Sequence, residues 1–531
     1  MRTFRHGSLY HRRGMAVIMV LMVLAMTLTV CYAMLRTQST ALLIQKNEQL
    51  QSLARQAALS GLRVGLQRMH SADWAGVETS FQSAISSTQS FQVSYTAGDS
   101  LLGAGDPAYS ELPYRVTVVS IGRAADPDTP QRTVTYQIQA VVRLVPRKVS
   151  TTPADWPTMQ NYTIFQTRAD NVELDIPCQL QGRLRVQGKL CLAPHYPQDL
   201  SAWWGYLQDL NSMRSAGYPD YRPVLGPVDL PIDRQNSQDF WALSFALRVP
   251  WNHLNPSEVG ADWTNPTLPA TYQLYPGGPR YTIPRLPDQL EQTAYQPDPQ
   301  TNPLGIYYRD GSLELRSGVS VQGAMYCRDN LSVEKTNVQI TPVSLPPLYQ
   351  ADGTTTAPMR LPSVSCQNFY LRNTGGGQVQ GLVAAFDRFQ IDKGPETVSF
   401  RLSGRLIARK IYLRERTPWD NLDWKTLYSQ YQSQYSGLPP SERYFPVWMG
   451  QRGRDPAPRL ILTPDGTSAK YHWPRWDQPI FQPHPEDVTP LAPNQPGLRW
   501  ELVRWFEQPQ TSSTFQILQQ TKQSVGTTKK K

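Results

Sequence analysis

The sequence predicts an α+β protein in which one long N-terminal helix precedes an antiparallel sheet and a large, mainly β domain. Three observations lead to this prediction. An uncharged apolar stretch covers residues 14–35, two alternating segments follow within 113–147, and a short aliphatic–Gln–Gly phrase recurs beyond residue 180. The chain has 531 residues, a length that accommodates about three or four domains.

The apolar stretch predicts a membrane span. At about 1.5 Å per residue, a helix over residues 14–35 covers roughly 33 Å, which is enough to cross the core of a bilayer. Four arginines precede the stretch and a single one follows closely: Arg2, Arg5, Arg12, Arg13 and Arg36. This bias predicts a single-pass protein of the inner (cytoplasmic) membrane, with its N-terminus inside and its large domain periplasmic or extracellular.

The segment that follows, residues 40–69, contains no proline and predicts a continuation of the same helix. Its apolar and small residues recur at steps of three and four, the spacing of an amphipathic helix. They are Leu50, Leu53, Ala54, Ala57, Ala58, Gly61, Leu62 and Met69. We therefore expect one helix of about 55 residues, half of it within the membrane and half projecting outside.

This N-terminal region resembles a known family. HRRGMAVIMVLMVLAM is similar to a type IV prepilin leader, in which a short basic peptide ends in Gly14 and an apolar helix follows. NEQLQSLARQAALSGLRVGLQRM resembles the helix of PilX-like minor pilins and of the K-type minor pseudopilin of type II secretion. The resemblance implies cleavage by a prepilin peptidase between Gly14 and Met15, and partnership with other pilins or pseudopilins.

One position departs from the family pattern. Most pilins have glutamate at the fifth mature position, which here is Met19. In the family that carboxylate is thought to pair with the N-terminal amine of an adjoining subunit, and an unpaired carboxylate in a bilayer is costly. The K-type pseudopilin also lacks the glutamate, so the resemblance implies a minor, tip or initiating subunit. The alternative is an ordinary single-pass anchor outside any filament.

Residues 113–124 and 132–147 alternate apolar and polar side chains around the turn sequence ADPDTPQ. This pattern predicts a β-hairpin with one buried face. A long helix followed by an antiparallel sheet is the order of elements in a pilin head, although unrelated α+β domains share it.

The recurring phrase predicts a stack of short parallel strands. Five copies have the form aliphatic, Gln or Ser, Gly: Leu180–Gly182, Val186–Gly188, Val321–Gly323, Val379–Gly381 and Leu402–Gly404. Glycine permits a bend at each copy, and a spacing of about 20–25 residues is the length of one coil of a β-solenoid. We expect a small right-handed β-helix from 160–194 and 310–415; the alternative is turn signals in an antiparallel domain.

Six segments follow from these patterns. They are a basic leader (1–14), the transmembrane and amphipathic helix (15–70), a pilin-like β region (71–150), a β-rich repeat domain with a Pro- and aromatic-rich insertion (151–415, insertion 195–309), a Pro- and aromatic-rich C-terminal region (416–510) and a basic, disordered tail (511–531).

Charge and motifs exclude several functions. The net charge is +10, but part of the excess lies at the two chain ends and no Lys/Arg stripe suits nucleic acid. No Cys-x-x-Cys, helical His pair, P-loop or dinucleotide fingerprint occurs, so no metal and no cofactor is predicted. Four cysteines beyond the apolar stretch are candidates for two disulfides or for free buried thiols: Cys178, Cys191, Cys327 and Cys366.

Asp329 and Asp387 each lie six residues after a repeat glycine, where a solenoid would place them equivalently. Carboxylate pairs on such a face serve glycan-cleaving enzymes, which gives an extracytoplasmic glycan-active enzyme as a rival function. Aspartate is also common in turns for its own hydrogen bonding. The prediction is therefore a non-enzymatic, membrane-anchored cell-envelope protein that acts by assembly and interaction.

Overall fold

The structure is a computed structural model. It describes residues 10–71, 74–146, 156–170, 172–174, 178–188, 190–192, 224–225, 227–231, 251–254, 263–349, 354–372, 376–391, 399–413, 460–466, 470–482 and 499–510. The chain divides into two compact units. We call them the helix–sheet unit (residues 1–99, 115–143 and 500–531) and the coil unit (residues 100–114 and 144–499).

Helix α1 (Tyr10–Met69) is continuous over 60 residues, as predicted. Its C-terminal half buries the predicted stripe: Leu50, Ala54, Ala57, Ala58, Gly61, Leu62 and Met69 are buried and Leu53 is half-buried. The spacing of small and apolar residues at three and four therefore placed the packing face correctly.

The sheet of this unit has five strands in the order β1-β2-β3-β4-β29. The first four are β1 (Ser80–Ala84), β2 (Gln89–Ala97), β3 (Arg115–Ala125) and β4 (Thr133–Val145). Adjacent strands among these four pair antiparallel, and β3 and β4 form the predicted hairpin. A long apolar helix and antiparallel sheet, followed by mainly β structure, confirm the predicted α+β class.

The fifth strand comes from the far end of the chain. Strand β29 (Arg499–Gln510) lies beside β4 in the sheet order, although residues 146–498, most of the coil unit, separate the two strands in sequence. The predicted C-terminal region 416–510 is therefore divided, since its last strand belongs to the helix–sheet unit. Most of the coil unit is therefore inserted in sequence between two neighbouring strands of one sheet, and its residues 100–114 lie between β2 and β3.

The coil unit is almost entirely β structure. Its helical elements are η1 (Tyr109–Tyr114, a 3-10 helix) and α2 (Trp156–Met159). Its strands are β5 (Ile164–Gln166), β6 (Val172–Leu174), β7 (Cys178–Gln181), β8 (Leu184–Arg185), β9 (Leu190–Leu192), β10 (Val224–Leu225), β11 (Val228–Pro231), β12 (Trp251–Leu254), β13 (Thr271–Gln273), β14 (Arg280–Thr282), β15 (Gln289–Leu290), β16 (Ala294–Tyr295), β17 (Ile306–Arg309), β18 (Leu313–Leu315), β19 (Ser320–Gln322), β20 (Ala324–Val333), β21 (Val338–Thr341), β22 (Ser344–Leu345), β23 (Met359–Arg360), β24 (Val364–Leu371), β25 (Gly377–Ile391), β26 (Phe400–Leu413), β27 (Leu460–Thr463) and β28 (Lys470–Tyr471).

Nineteen of these strands form one sheet whose pairs are parallel among the described residues. Strands β20, β24, β25 and β26 stack in that order, each on the preceding one. The pairing is the parallel one predicted from the repeat, not the antiparallel alternative. We call this sheet the coil stack.

The coil stack includes more of the chain than predicted. Strands β10 to β12 and β15 to β17 fall within the predicted insertion 195–309, yet they pair with strands of the stack. The repeat phrase missed them because none of these strands contains an aliphatic residue followed by Gln or Ser and then Gly. Both β5 and β27 pair with β26, so the first and last strands of the stack in sequence meet on one strand.

The glycines of the phrase make the bends that were predicted for them. Four of them adopt positive φ, a conformation that other residues avoid: Gly182, Gly323, Gly381 and Gly404. The aliphatic residue before each Gln or Ser points inward and is buried, as Val321, Val379 and Leu402 are. The leader up to residue 9, most of the residues between 193 and 262 and the tail 511–531 lie outside the described residues.

Candidate functional site: the anchoring helix and its sheet

The N-terminal half of α1 presents apolar side chains on every side. From Met15 to Leu35 the large hydrophobic side chains are 52% to 73% exposed, and this part of the helix is long and apolar enough to cross a membrane. The hydroxyls of Thr27 and Thr29 donate to the carbonyls of Val23 and Ala25 at 3.0 and 2.6 Å. Because its polar groups are satisfied within the helix, this segment meets the main requirement for a span in lipid.

The residues predicted for processing lie on this segment. Gly14 and Met15 are consecutive helical residues, and Met15 is 61% exposed. Met19, at the position where most pilins have glutamate, is 67% exposed. Leu35, at the end of the predicted span, is 65% exposed. None of the three described side chains is used in packing the helix–sheet unit, so all remain available to lipid or to another helix.

The C-terminal half of α1 packs unusually close to β3. A Cβ atom at Gly122 would lie 2.1 Å from the carbonyl oxygen of Ala54 and 2.4 Å from the amide nitrogen of Ala58. On the helix side, a Cβ at Gly61 would lie 2.4 Å from the Ser120 hydroxyl. Glycine and alanine on both surfaces therefore let the helix backbone rest directly on the strand.

Two hydroxyls of the sheet fix the helix in register. Ser120 donates to the carbonyl of Ala58 at 2.7 Å, and Tyr95 donates to the carbonyl of Gly65 at 2.9 Å. Both hydroxyl groups belong to buried residues. Since a buried hydroxyl is costly without a partner, each hydrogen bond favours one axial position of the helix on the sheet.

A buried aspartate ties the C-terminal strand into the sheet. The carboxylate of Asp99 is fully buried, accepts a hydrogen bond from Arg115 at 3.1 Å and also pairs with Arg504 of β29. Strand β29 also makes an aromatic contact. Its Trp500 is buried against Trp74, with the ring centroids 5.8 Å apart. Removing one partner of a buried ion pair is far more costly than removing an exposed one, so this cluster makes β29 an integral strand.

A second ion pair joins β29 directly to the anchoring helix. Arg55 donates to both carboxylate oxygens of Glu507 at 2.7 and 2.8 Å, and the Tyr136 hydroxyl donates to the same carboxylate. These hydrogen bonds, first that from Arg55, lower the pKa of Glu507. A bidentate arginine–carboxylate pair is both strong and directional.

The lowered pKa of Glu507 gives a pH dependence with a definite sign. The stabilisation is complete above the ordinary glutamate pKa of about 4.3 and is lost as the pH falls through the lowered value. We expect Glu507→Gln to reduce stability at pH 7 by at most about 1 kcal/mol, with the gap to wild type closing towards pH 3. Denaturant unfolding at pH 7, 5 and 3 measures it.

Glu48→Gln provides the matched control, since Glu48 is an exposed carboxylate on the same helix. Its effect on stability should be small at all three pH values. A Glu507→Gln deficit that stays constant from pH 7 to pH 3 would contradict an ionic contribution from this pair.

The candidate disulfide cysteines lie in the coil stack. Cys327 and Cys366 carry free thiols on the adjacent strands β20 and β24, where their Cα atoms are partners. Burial raises the pKa of the Cys327 and Cys178 thiols to about 12, which keeps them protonated and unreactive at neutral pH. Cys191 is in β9, and its side chain lies outside the described residues. Disulfide formation remains a prediction.

The structure does not bring Asp329 and Asp387 together. Both lie in two-residue bends at equivalent points, Asp329 in β20 and Asp387 in β25, but strand β24 separates them. Two strand spacings put their backbones roughly 10 Å apart, so the two residues are not neighbours on adjacent strands. The neighbouring Arg328 pairs with Asp310. Equivalent positions in the repeat therefore do not place Asp329 and Asp387 side by side.

No group of three or more His, Cys, Asp or Glu residues within the described ranges is arranged to hold a metal ion. The features that sequence reasoning missed are the membership of β29 in the helix-bearing sheet and the ion pairs that fasten it. The segment LRWELVRWFEQ (498–508) mixes charged and apolar residues in a pattern typical of a strand, but it contains no signal for the partner of that strand.

No protein-family model matches the sequence, and no curated protein matches it significantly. Among solved structures, a similarity is found to the competence-associated pilin ComZ from Thermus thermophilus. It has 12% sequence identity, covers 87% of this chain and 98% of that chain, and has a TM-score of 0.20. A TM-score this low does not establish a shared fold.

Proposed function

We propose that this protein is a pilin-type or pseudopilin-type subunit, anchored in the inner membrane by α1 and assembled with other pilins into a type IV pilus or type II secretion filament. It acts by assembly and interaction, without catalysis. The large domain lies outside the cytoplasm, and the prepilin peptidase removes the leader at Gly14 before assembly.

One observation carries the proposal. The helix α1 changes along its length, from a half with apolar side chains exposed on every side to a half that packs on an antiparallel sheet through small residues. A soluble protein would bury the first half or make it polar. A plain membrane anchor would not need to continue, without a break, as the central packing element of the exported domain.

The position of the subunit in the filament follows from two further features. Met19 leaves no carboxylate to pair with the N-terminal amine of an adjoining subunit. The coil unit, which we interpret as a β-solenoid, is more than twice as large as the helix–sheet unit, and most of it is inserted in sequence between β4 and β29. Such a bulky insertion suits a minor subunit at the filament tip better than a subunit repeated along the shaft.

The state of the N-terminus of the native protein tests the proposal. A protein processed by the prepilin peptidase begins at Met15 and bears an N-methyl group there. Mass spectrometry of the N-terminal peptide, from protein purified out of its own membranes, measures both features. Retention of Met1, or cleavage at another bond, favours an ordinary anchor.

A further inference from the structure

Two glutamines of the repeat phrase, Gln322 and Gln380, lie on one outer face of the coil stack, whereas Gln187 of another copy is buried. Gln322 of β19 is the Cα partner of Thr341 in β21, and Gln380 of β25 is the partner of Ser403 in β26. These residues form one column of outward-facing side chains. A second column lies two residues earlier on the same strands. It consists of Ser320, Gln339, Gln378 and Arg401, each the partner of the next. We call these two columns the Gln face.

The Gln face is exposed, and no described residue hydrogen-bonds to its side-chain amides. Gln322, Gln339 and Gln380 are exposed, whereas the residue next to each of them in the core, such as Val321 or Ile340, is buried. No side-chain hydrogen bond joins the amides of Gln322, Gln339, Gln378 or Gln380 to any described residue. The glycine makes the bend and the aliphatic residue fills the core, so the fold itself does not require the glutamine.

The chemistry of the face excludes most classes of partner. Over four coils it contains one arginine and no carboxylate, so it offers neither the Lys/Arg cluster that a polyanion needs nor the oxygen ligands of a hard cation. It also has no aromatic or large aliphatic side chain among the two columns, and such anchors dominate protein–protein interfaces. What remains is a regular array of uncharged donors and acceptors.

Such an array matches an uncharged polymer with regularly spaced hydroxyl groups. Each glutamine amide offers two N–H donors and one acceptor oxygen. Serine and threonine hydroxyls can both donate and accept a hydrogen bond. Along the stack the groups repeat at about 4.8 Å, and across it at about 6.6 Å. An extended polysaccharide laid along the stack axis would therefore meet a similar pair of polar groups at every coil.

We propose that the Gln face is a binding surface for a neutral polysaccharide. The bound polysaccharide would lie along the axis of the stack, from β19 to β26. This site is independent of the proposed filament role, since its failure would leave the N-terminal processing unchanged and the reverse also holds. Each exposed hydrogen bond contributes little, so binding depends on several coils acting together. Affinity is therefore expected to rise with the length of the glycan.

Calorimetric titration of the full-length protein in detergent tests the proposal. The probes are dimers and hexamers of β-1,4-linked glucose, β-1,4-linked N-acetylglucosamine and α-1,6-linked glucose, with acidic polygalacturonate for comparison. We expect at least one hexamer to bind, at least about tenfold more tightly than its dimer. The triple variant Gln322→Ala, Gln339→Ala, Gln380→Ala should raise that Kd at least about tenfold with the thermal unfolding temperature unchanged.

The matched control replaces three exposed glutamines elsewhere: Gln82→Ala, Gln131→Ala and Gln289→Ala. It should bind the hexamer as the wild type does. The proposal is overturned if no neutral hexamer binds, if the Gln-face variant binds as well as the control, or if polygalacturonate is preferred. Self-association that the Gln-face variant abolishes, with no glycan binding, would instead identify a second copy of this chain as the occupant.

Discussion

Replacing Gly122 with alanine is expected to detach helix α1 from its sheet. The new methyl group would lie 2.1 Å from the carbonyl oxygen of Ala54 and 2.4 Å from the nitrogen of Ala58, both backbone atoms that cannot rotate away. Overpacking of this kind costs up to about 3 kcal/mol in ordinary cores, and a clash with helix backbone belongs at or above that limit. Denaturant unfolding of the full chain, with limited proteolysis to locate the destabilised segment, measures the effect.

Gly105→Ala is the control for this experiment, because a Cβ at Gly105 would meet no atom within 4 Å. It should leave stability within about 0.5 kcal/mol of wild type. In the Gly122 variant, the first new cleavage sites should fall in α1 and strands β1 to β4. Wild-type stability of Gly122→Ala would show that the helix does not lie this close to β3.

The second large effect is expected at Gly323, inside the coil stack. This residue has a φ of 148°, and a Cβ there would lie 2.0 Å from the carbonyl oxygen of Gly305 on the preceding coil. Backbone strain of about 1–3 kcal/mol and an overpacking cost of similar size both apply to alanine at this position. We expect Gly323→Ala to lose about 3–5 kcal/mol, measured by denaturant unfolding of the full chain.

The location of the damage distinguishes this variant from the first. Proteolysis of Gly323→Ala should begin in the coil unit, around β17 to β24, and spare the helix–sheet unit. Gly466→Ala, also in the coil unit, is the matched control, since nothing lies within 4 Å of its added methyl group. Equal stability of the Gly323 and Gly466 variants would contradict close stacking of the coils at their bends.

Local patterns in the sequence predicted the local structure well. The spacing of Leu50, Ala54, Ala58 and Leu62 gave the buried face of α1, because that face depends only on the 3.6-residue period. The β3–β4 hairpin followed from alternation on both sides of one turn. The repeat glycines gave bends of positive φ, because glycine alone tolerates that conformation without cost.

Long-range pairing could not be predicted in the same way. Strand β29 has an ordinary alternating sequence, and nothing in it specifies β4 as its neighbour across the intervening coil unit. Likewise, β5 and β27 meet on β26 although they come from opposite ends of the unit. Such contacts depend on the packing of the whole unit, which a single sequence does not encode in any local signal.

The candidate site likewise contains features that local sequence patterns predict and features that depend on long-range contacts. The apolar half of α1, with Gly14, Met15 and Met19, was evident from composition and from the family resemblance, and the membrane span and the cleavage after Gly14 remain predictions. The pair Arg55–Glu507 and the buried cluster around Asp99 were not, since their members lie in distant parts of the sequence. For Asp329 and Asp387 the sequence suggested a pair that the structure does not form. Their matching positions in the repeat lie two strands apart.

The N-terminus of the processed protein tests the central claim most directly when wild type is compared with two glycine variants of the leader. In wild type and in Gly7→Val, the mass of the N-terminal peptide should correspond to N-methylated Met15. In Gly14→Val, the uncut leader starting at Met1 should persist. If Gly14→Val is processed like wild type, or if wild type retains Met1, the protein is not a pilin-type subunit.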